Sequence, residues 1–310
     1  MWISEIFATR KPVISLEIFP PKTENRADIA SKLAADFQPL QPAFISVTYG
    51  AGGTTRDTSV ENASLLSGLG FTVMSHLTGI GHTTQEIDAI AAQLEVAGIE
   101  NILALRGDPP KEMTKSGFTF GDFAYAVDLI RYLRAKGTFC IAAAAYPEGH
   151  IASPRVDLDW RYLKEKVDAG AEFLVTQLFF DNRVFYHFLE SIRRMGIFCP
   201  VTAGILPVID AGTVKRIVSF CGASILAKVL EMLDRYSDDP GSLAKAGLEY
   251  ATAQVADLLA NDVDGVHLYT LNRSGWVVKL LRDIGYEPRV HIPETWEARL
   301  PEGWDHPSPL

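Results

Sequence analysis

The chain has 310 residues, 47% hydrophobic and 22% charged, with a formal net charge of −9. That is ordinary globular composition with enough length for one large core. The acidic balance argues against general affinity for nucleic acid or anionic lipid, while a local basic pocket for a phosphate stays compatible with it. Three scattered cysteines, Cys140, Cys199 and Cys221, form no Cys-x-x-Cys pair and read as reduced thiols of a cytoplasmic protein. The start, Met1-Trp2-Ile3-Ser4-Glu5, does not resemble a signal peptide, and no apolar run approaches the roughly 18 residues of a membrane helix. His76 and His82 suit neither a helical His-x-x-x-His pair nor a zinc knuckle, so no metal is expected.

The first expected strand runs from Val13 to Phe19. Strict alternation places Val13, Ser15, Glu17 and Phe19 on one face and Ile14, Leu16 and Ile18 on the other. The second face is apolar and suits packing under helices. The first carries a carboxylate, Glu17, just before Pro20-Pro21 ends the strand. A helical pattern follows over about 26–37, and then a β-branched and aromatic run from Ala43 to Tyr49. After it comes Gly50-Ala51-Gly52-Gly53-Thr54-Thr55, a glycine-rich loop where backbone amides can meet a phosphate or a flavin edge. The loop lacks the third glycine of the dinucleotide fingerprint, Thr55 standing in its place. A flexible connection with Thr54 or Thr55 capping the next helix is the plain structural alternative.

Five helix-like segments then end at Gly70, Gly98, Gly137, Gly170 and Gly196, each followed closely by an apolar run. Their spacing is that of a repeating βα unit. Strand starts near Val13, Ala43, Thr72, Asn101, Phe139, Phe173, Val201 and Gly265 predict an α/β protein, a closed (β/α)8 barrel, with an extra helical segment at about 224–261 before the last strand. The expected organisation is one barrel over residues 1–285 and an irregular tail rich in proline and tryptophan over 286–310.

A barrel of this type places its site at the C-terminal strand ends. Those ends carry Glu17; Thr48 and Tyr49; His76; Arg106 and Asp108; Tyr146 and His150; Gln177; and Tyr269, Asn272 and Arg273. Each has a structural explanation of its own: Arg106 and Asp108 could be an ion-paired turn, His76 a satisfied core histidine, Arg273 a helix cap. Recurrence at one end of seven strands favours a site. Alternation leaves open whether Ser75 or His76 points inward. Gly107, in the run Ile102 to Pro110, is where the backbone could approach a ligand closely.

Eight stretches in one order carry a family resemblance: Ser15-Leu16-Glu17-Ile18-Phe19-Pro20-Pro21, Ser46 to Arg56, Leu105-Arg106-Gly107-Asp108-Pro109, Ala145-Tyr146-Pro147-Glu148, Lys166 to Ala171, Thr176 to Asp181, Gly204-Ile205-Leu206-Pro207 and Tyr269-Thr270-Leu271-Asn272-Arg273. Together they resemble methylenetetrahydrofolate reductase in its short bacterial form, without a regulatory domain. The resemblance implies a cytoplasmic FAD oxidoreductase of one-carbon metabolism and methionine biosynthesis. It would reduce 5,10-methylenetetrahydrofolate to 5-methyltetrahydrofolate with NADH or NADPH, the two half-reactions alternating in ping-pong order.

By resemblance, Glu17 is the general acid that opens the substrate ring, its pKa raised in a partly desolvated barrel mouth. Asp108 stands beside flavin and pterin, where its charge stabilises a substrate cation and disfavours excess charge on reduced flavin. Gln177 reads the pterin or orients the nicotinamide, and Arg273 faces the substrate. Thr48, Tyr49, Ala51, His76, Arg106, Gly107, Asp108, Ala126, Tyr146, His150, Asp159 and Lys166 fall on positions that contact FAD, with Lys166 and the glycine-rich loop near the pyrophosphate. Three residues depart from the pattern: Ile18, where phenylalanine is common; Glu165, in place of a basic or polar FAD contact; and Ile217, in place of an aromatic that packs on substrate. Partners are expected to be small molecules, with no nucleic acid and no membrane, and a homo-oligomer is left open. Two other readings fit such a barrel: a non-catalytic folate- or flavin-binding subunit, and an FAD barrel oxidising another amine such as proline. Glu17 argues against the last, because hydride removal from an amine needs no acid there.

Overall fold

The computed structural model describes residues 1–20, 26–49, 56–108 and 120–286. Eight parallel strands close into a barrel in chain order. They are β1 (Val13–Ile18), β2 (Phe44–Val47), β3 (Val73–Thr78), β4 (Asn101–Leu105), β5 (Cys140–Ala145), β6 (Phe173–Thr176), β7 (Val201–Ile205) and β8 (Gly265–Tyr269). Each begins within one residue of its expected start. Helix α1 (Ile3–Thr9) precedes β1. Then α2 (Arg26–Phe37), α3 (Arg56–Gly68), α4 (Thr84–Val96), α5 (Ala126–Lys136), α6 (Val156–Asp168), α7 (Asn182–Arg194) and α8 (Ala211–Cys221) follow β1 to β7 in turn. The extra helical segment is a pair, α9 (Ala227–Arg235) and α10 (Pro240–Ala260), and α11 (Ser274–Asp283) follows β8. The five glycines after helices all have positive φ, the left-handed conformation that stops a helix and turns the chain into the next strand.

Alternation decides the layers. Ile14, Leu16 and Ile18 join the large core between strands and helices. Inside the barrel, the N-terminal half is apolar: Val13, Phe44, Met74, Leu103, Cys140 and Phe173 pack together beneath Ile3 and Ile6 of α1. Helix α1 therefore plugs the bottom of the barrel. Its placement is fixed by Asn101, whose Oδ1 accepts from the Ile3 amide (2.8 Å) and whose Nδ2 donates to the carbonyls of Met1 (3.1 Å) and Val73 (3.2 Å). A separate cluster of Leu178, Phe180, Leu206 and Val208 with Val229, Leu233 and Leu243 seats α9 and α10 over the ends of β6 and β7. No helix among the described residues is long and apolar enough to cross a membrane. The expected tail lies, beyond Tyr286, outside the described residues.

Candidate active site

The upper half of the barrel interior is polar, and Glu17 is its centre. Strand register places Glu17 beside Ser46 of β2 and Tyr269 of β8, and Ser15 beside His267. Glu17 is only 6% exposed. Its Oε2 lies 3.5 Å from His76 Nε2, 3.6 Å from His267 Nε2 and 3.5 Å from Ser46 Oγ. His76 is thus the inward residue of β3, while Ser75 donates to the His76 carbonyl. Burial pushes His76 down to about 4, outweighing the attraction of Glu17, with His267 lowering it further. It is a neutral imidazole near neutral pH.

His267 is fully buried, with Nδ1 2.8 Å from Ser15 Oγ and Nε2 3.4 Å from Ser46 Oγ. Its ring stacks on Phe44 and meets Tyr269 edge to face. Tyr269 donates to the Thr176 carbonyl (2.7 Å). Its phenol is raised well above its ordinary value, first by burial and then by the charges of Glu17 and Tyr146. A Cβ at Gly204 would stand 2.8 Å from the Tyr269 ring and 2.3 Å from the Thr176 carbonyl. Glycine there makes room for the tyrosine. Asn272, at φ +56, clamps the end of β1 by accepting from the Phe19 amide and donating to its carbonyl, both at 2.8 Å.

A second, cationic group lies around the ends of β4 and β5. Arg106 ion-pairs with Asp108 at 3.5 Å, and the Asp108 side chain is largely exposed. Gly107 has φ +82, and a Cβ there would lie 2.8 Å from Ile80 and 2.9 Å from Thr78. Its missing side chain therefore makes room for neighbouring protein side chains, where the sequence suggested close approach of a ligand. Tyr146 and His150 meet edge to face at 4.7 Å. Lys166 and Asp159 lie seven residues apart on one side of α6. Lys166 Nζ donates to the Ala144 carbonyl (3.0 Å) and lies 5.9 Å from the Tyr146 ring centre. Lys166 as a whole is half-buried, yet its ammonium end is enclosed: burial lowers its pKa against the attraction of Asp159, and Arg106 lowers it further. Burial likewise raises Asp159 and lowers His150. Tyr146 is pushed up to about 12 by burial and by the charges of Asp159 and Asp108.

Tyr269 feels both Glu17 and Tyr146, and Tyr146 feels Arg106, Asp108 and Asp159. The two groups therefore lie within reach of each other's charges at the C-terminal mouth. Gln177 half-buries there, its Oε1 accepting from the Leu178 amide (2.9 Å). Arg273 starts α11 without a side-chain cap, and its Nε is buried without a hydrogen-bond partner among the described residues. Thr48 is tied to the Ile18 carbonyl through its amide (3.1 Å), and Tyr49 packs edge-on to His82. Ala126 opens α5 as a buried residue. Ala51 and the glycine-rich loop lie outside the described residues.

A family model described as methylenetetrahydrofolate reductase matches residues 2–285. The chain belongs to that family. It is 35% identical over 311 residues to "Methylenetetrahydrofolate reductase (NADH) 1" of Arabidopsis thaliana, which covers 96% of this chain and 52% of that protein. The chain thus spans about half the length of this plant relative. It is 32% identical over 278 residues to "5,10-methylenetetrahydrofolate reductase" of Pectobacterium carotovorum, covering 89% of this chain and 91% of the relative. Among solved structures, a Clostridium thermocellum protein described as binding two copies of 5-methyl-5,6,7,8-tetrahydrofolic acid superposes with a TM-score of 0.62. That match covers 92% of this chain and 97% of the other at 14% identity, a likeness of fold.

The departures from the family pattern fall away from the centre of the site. Ile18 packs in the outer core, Glu165 is exposed on α6, and Ile217 packs against the cluster under α9. The site residues missing from the sequence reading are His267, Ser15 and Ser46. The signal for His267 was present, because Gly265, His267 and Tyr269 share the inward face of β8.

Proposed function

We propose that the chain reduces 5,10-methylenetetrahydrofolate to 5-methyltetrahydrofolate, with FAD as its cofactor and NADH or NADPH as electron donor in ping-pong order. The observation that carries this reading is Glu17, a carboxyl group buried at the barrel mouth of a member of this family, with Nε2 of two histidines and a serine hydroxyl around one of its oxygens. The names of the plant and bacterial relatives point to the same reaction.

The cationic group fits the cofactor. Lys166 has an enclosed ammonium with one hydrogen bond, to a carbonyl, and lies close enough to Arg106 for each charge to feel the other. A diphosphate would relieve both cations. Tyr146, His150, Asp159, Ala126, Thr48, Tyr49, Arg106, Gly107 and Asp108 would line the rest of the cofactor site, with His76 between it and Glu17. FAD, when bound, supplies hydride chemistry.

Glu17 protonates the bridging nitrogen of the substrate, so that the five-membered ring opens to a cationic methylene. Asp108, an exposed carboxylate at the mouth, stabilises that cation. Gln177 has its carbonyl end held by Leu178, so its amide N–H2 end reads an acceptor on the pterin. Arg273 supplies buried donors for a substrate oxygen or carboxylate.

The purified protein is expected to be yellow, to bleach anaerobically with NADH or NADPH, and to regain colour on addition of 5,10-methylenetetrahydrofolate. A colourless protein that does not bind added FAD would overturn the proposal. Stopped-flow comparison of the two nicotinamides sets the donor.

A further inference from the structure

In the stretch Ala145-Tyr146-Pro147-Glu148, the last residue has no role so far. Glu148 lies in the loop between β5 and α6, between Tyr146 and His150 of the cationic group. That loop is tightly built. The Tyr146 carbonyl accepts from the Gly149 amide (3.0 Å) and from Trp160 Nε1 (3.2 Å), while His150 accepts at its carbonyl from the Ser153 amide (2.8 Å) and at Nδ1 from the Ala152 amide (3.0 Å). Both oxygens of Glu148 reach out of the loop to one donor, the Ser224 amide, at 3.1 and 3.0 Å.

Ser224 belongs to the link between α8, which ends at Cys221, and α9, which begins at Ala227. Ile151 of the same loop touches that link: a Cβ on Gly222 would stand 3.4 Å from the Ile151 side chain. On its other side the helix pair rests on the ends of β6, β7 and β8, where Val214, Cys221, Val229 and Leu233 share a cluster with Leu178, Leu206 and Tyr269. Apolar packing of that kind has no direction and lets a helix pair shift, whereas a carboxylate bound to a backbone amide fixes a distance. Glu148 therefore stands where the cofactor side of the mouth, with Tyr146 and His150, meets the helices over the side that carries Gln177 and Tyr269. The Cys221 thiol, at the end of α8, feels Glu148 and is felt by both Tyr146 and Tyr269.

We propose that Glu148 is a positioning residue that sets the width of the mouth by holding the α8–α9 link against the β5–α6 loop. It acts through Tyr146 and His150 on one side and through α8 and α9 on the other. The inference rests on reading this mouth as the place where folate and nicotinamide meet FAD. A ligand that touches both sides loses contact when the link is released, whereas FAD keeps the cationic group that holds its diphosphate. Release of the link therefore weakens ground-state binding of folate and nicotinamide and leaves the hydride step itself intact.

Hydrogen exchange and kinetics on the full chain test this together. Ser224 is exposed on a link outside any helix, so its amide is slow to exchange only if Glu148 holds it. Glu148→Ala should speed exchange of that amide roughly tenfold. A Ser224 amide that exchanges at the rate of a free peptide in the wild type, or just as slowly in the variant, overturns the proposal. With FAD bound, Glu148→Ala should raise KM for 5,10-methylenetetrahydrofolate and for the nicotinamide roughly tenfold, as for loss of one hydrogen bond to a charged group, with kcat and the Kd for FAD within about twofold. Glu148→Gln, which keeps one acceptor oxygen, should restore most of the protection and most of the KM. An unmoved KM beside lost protection, a fall in kcat alone, or a Kd for FAD that rises as much as KM would make Glu148 part of the scaffold and overturn the proposal. If the wild type binds no FAD, the functional reading has failed instead, and exchange at Ser224 still reports on the link.

Discussion

At the scale of single residues, Glu17 was legible because strand alternation has only two faces, and a carboxylate on the inward one stands out. Glu17→Gln should leave flavin reduction by nicotinamide largely intact and slow the folate half-reaction by roughly 10² or more, as for loss of an acid catalyst. Equal loss in both half-reactions, followed by stopped flow, would make Glu17 a structural residue. His76 offers an independent test through stability. An exposed histidine takes up its proton near 6.5, whereas buried His76 does so only at about 4. Its neutral ring therefore contributes stability in full above pH 6.5, and that contribution is lost as pH falls from 6.5 toward 4. The span is worth about 3 kcal/mol. Urea unfolding at pH 7.5 and 4.5 should show wild type losing about that much more than His76→Gln, and equal losses would mean the ring is not held neutral. The serines around Glu17 and His267 were harder to read from sequence. A serine in a strand is unremarkable until register brings it against a partner on the next strand.

At the scale of elements, the fold was legible wherever chain chemistry changes sharply. Gly70, Gly98, Gly137, Gly170 and Gly196 mark helix ends by the left-handed turns they adopt, and the apolar runs after them mark strands. Helix α1 was missed because seven residues carry too little periodicity to register. Its role, plugging the barrel floor over Phe44 and Phe173, is a tertiary property. The contacts that seat α10 were equally hidden. A Cβ at Gly247 would lie 1.8 Å from the Val208 carbonyl oxygen, and neither backbone can yield cheaply. Gly247→Ala should therefore destabilise the protein by about 1–3 kcal/mol through overpacking. Gly68, exposed at the end of α3 with nothing within 4 Å of such a Cβ, should respond to the same substitution with a gain of up to about 1 kcal/mol. Urea midpoints of the two variants should move in opposite directions. A shared direction would show that helix propensity, rather than close packing, dominates at Gly247.

At the scale of the whole molecule, an acidic protein must concentrate positive charge locally to hold an anion, and that concentration opposes its own folding. Lys166 shows the conflict most clearly. Its ammonium is enclosed, its pKa is lowered by burial, and Arg106 adds repulsion. In the flavin-free protein this charge is a cost that Asp159 only partly offsets, because Asp159 is itself raised by burial. Lys166→Met keeps the packing of the aliphatic stem and removes the charge, and Asp159 can take up a proton rather than remain a bare anion. The flavin-free variant should then be more stable than wild type. Saturating FAD should reverse the order. A ligand stabilises by an amount set by its concentration relative to Kd, about 2.7 kcal/mol at a hundredfold excess, so loss of a pyrophosphate contact reduces that gain. Thermal unfolding with and without FAD should therefore show the two proteins crossing. A variant less stable in both states, with an unchanged response to FAD, would place Lys166 in the scaffold and leave the diphosphate to Arg106 and the backbone.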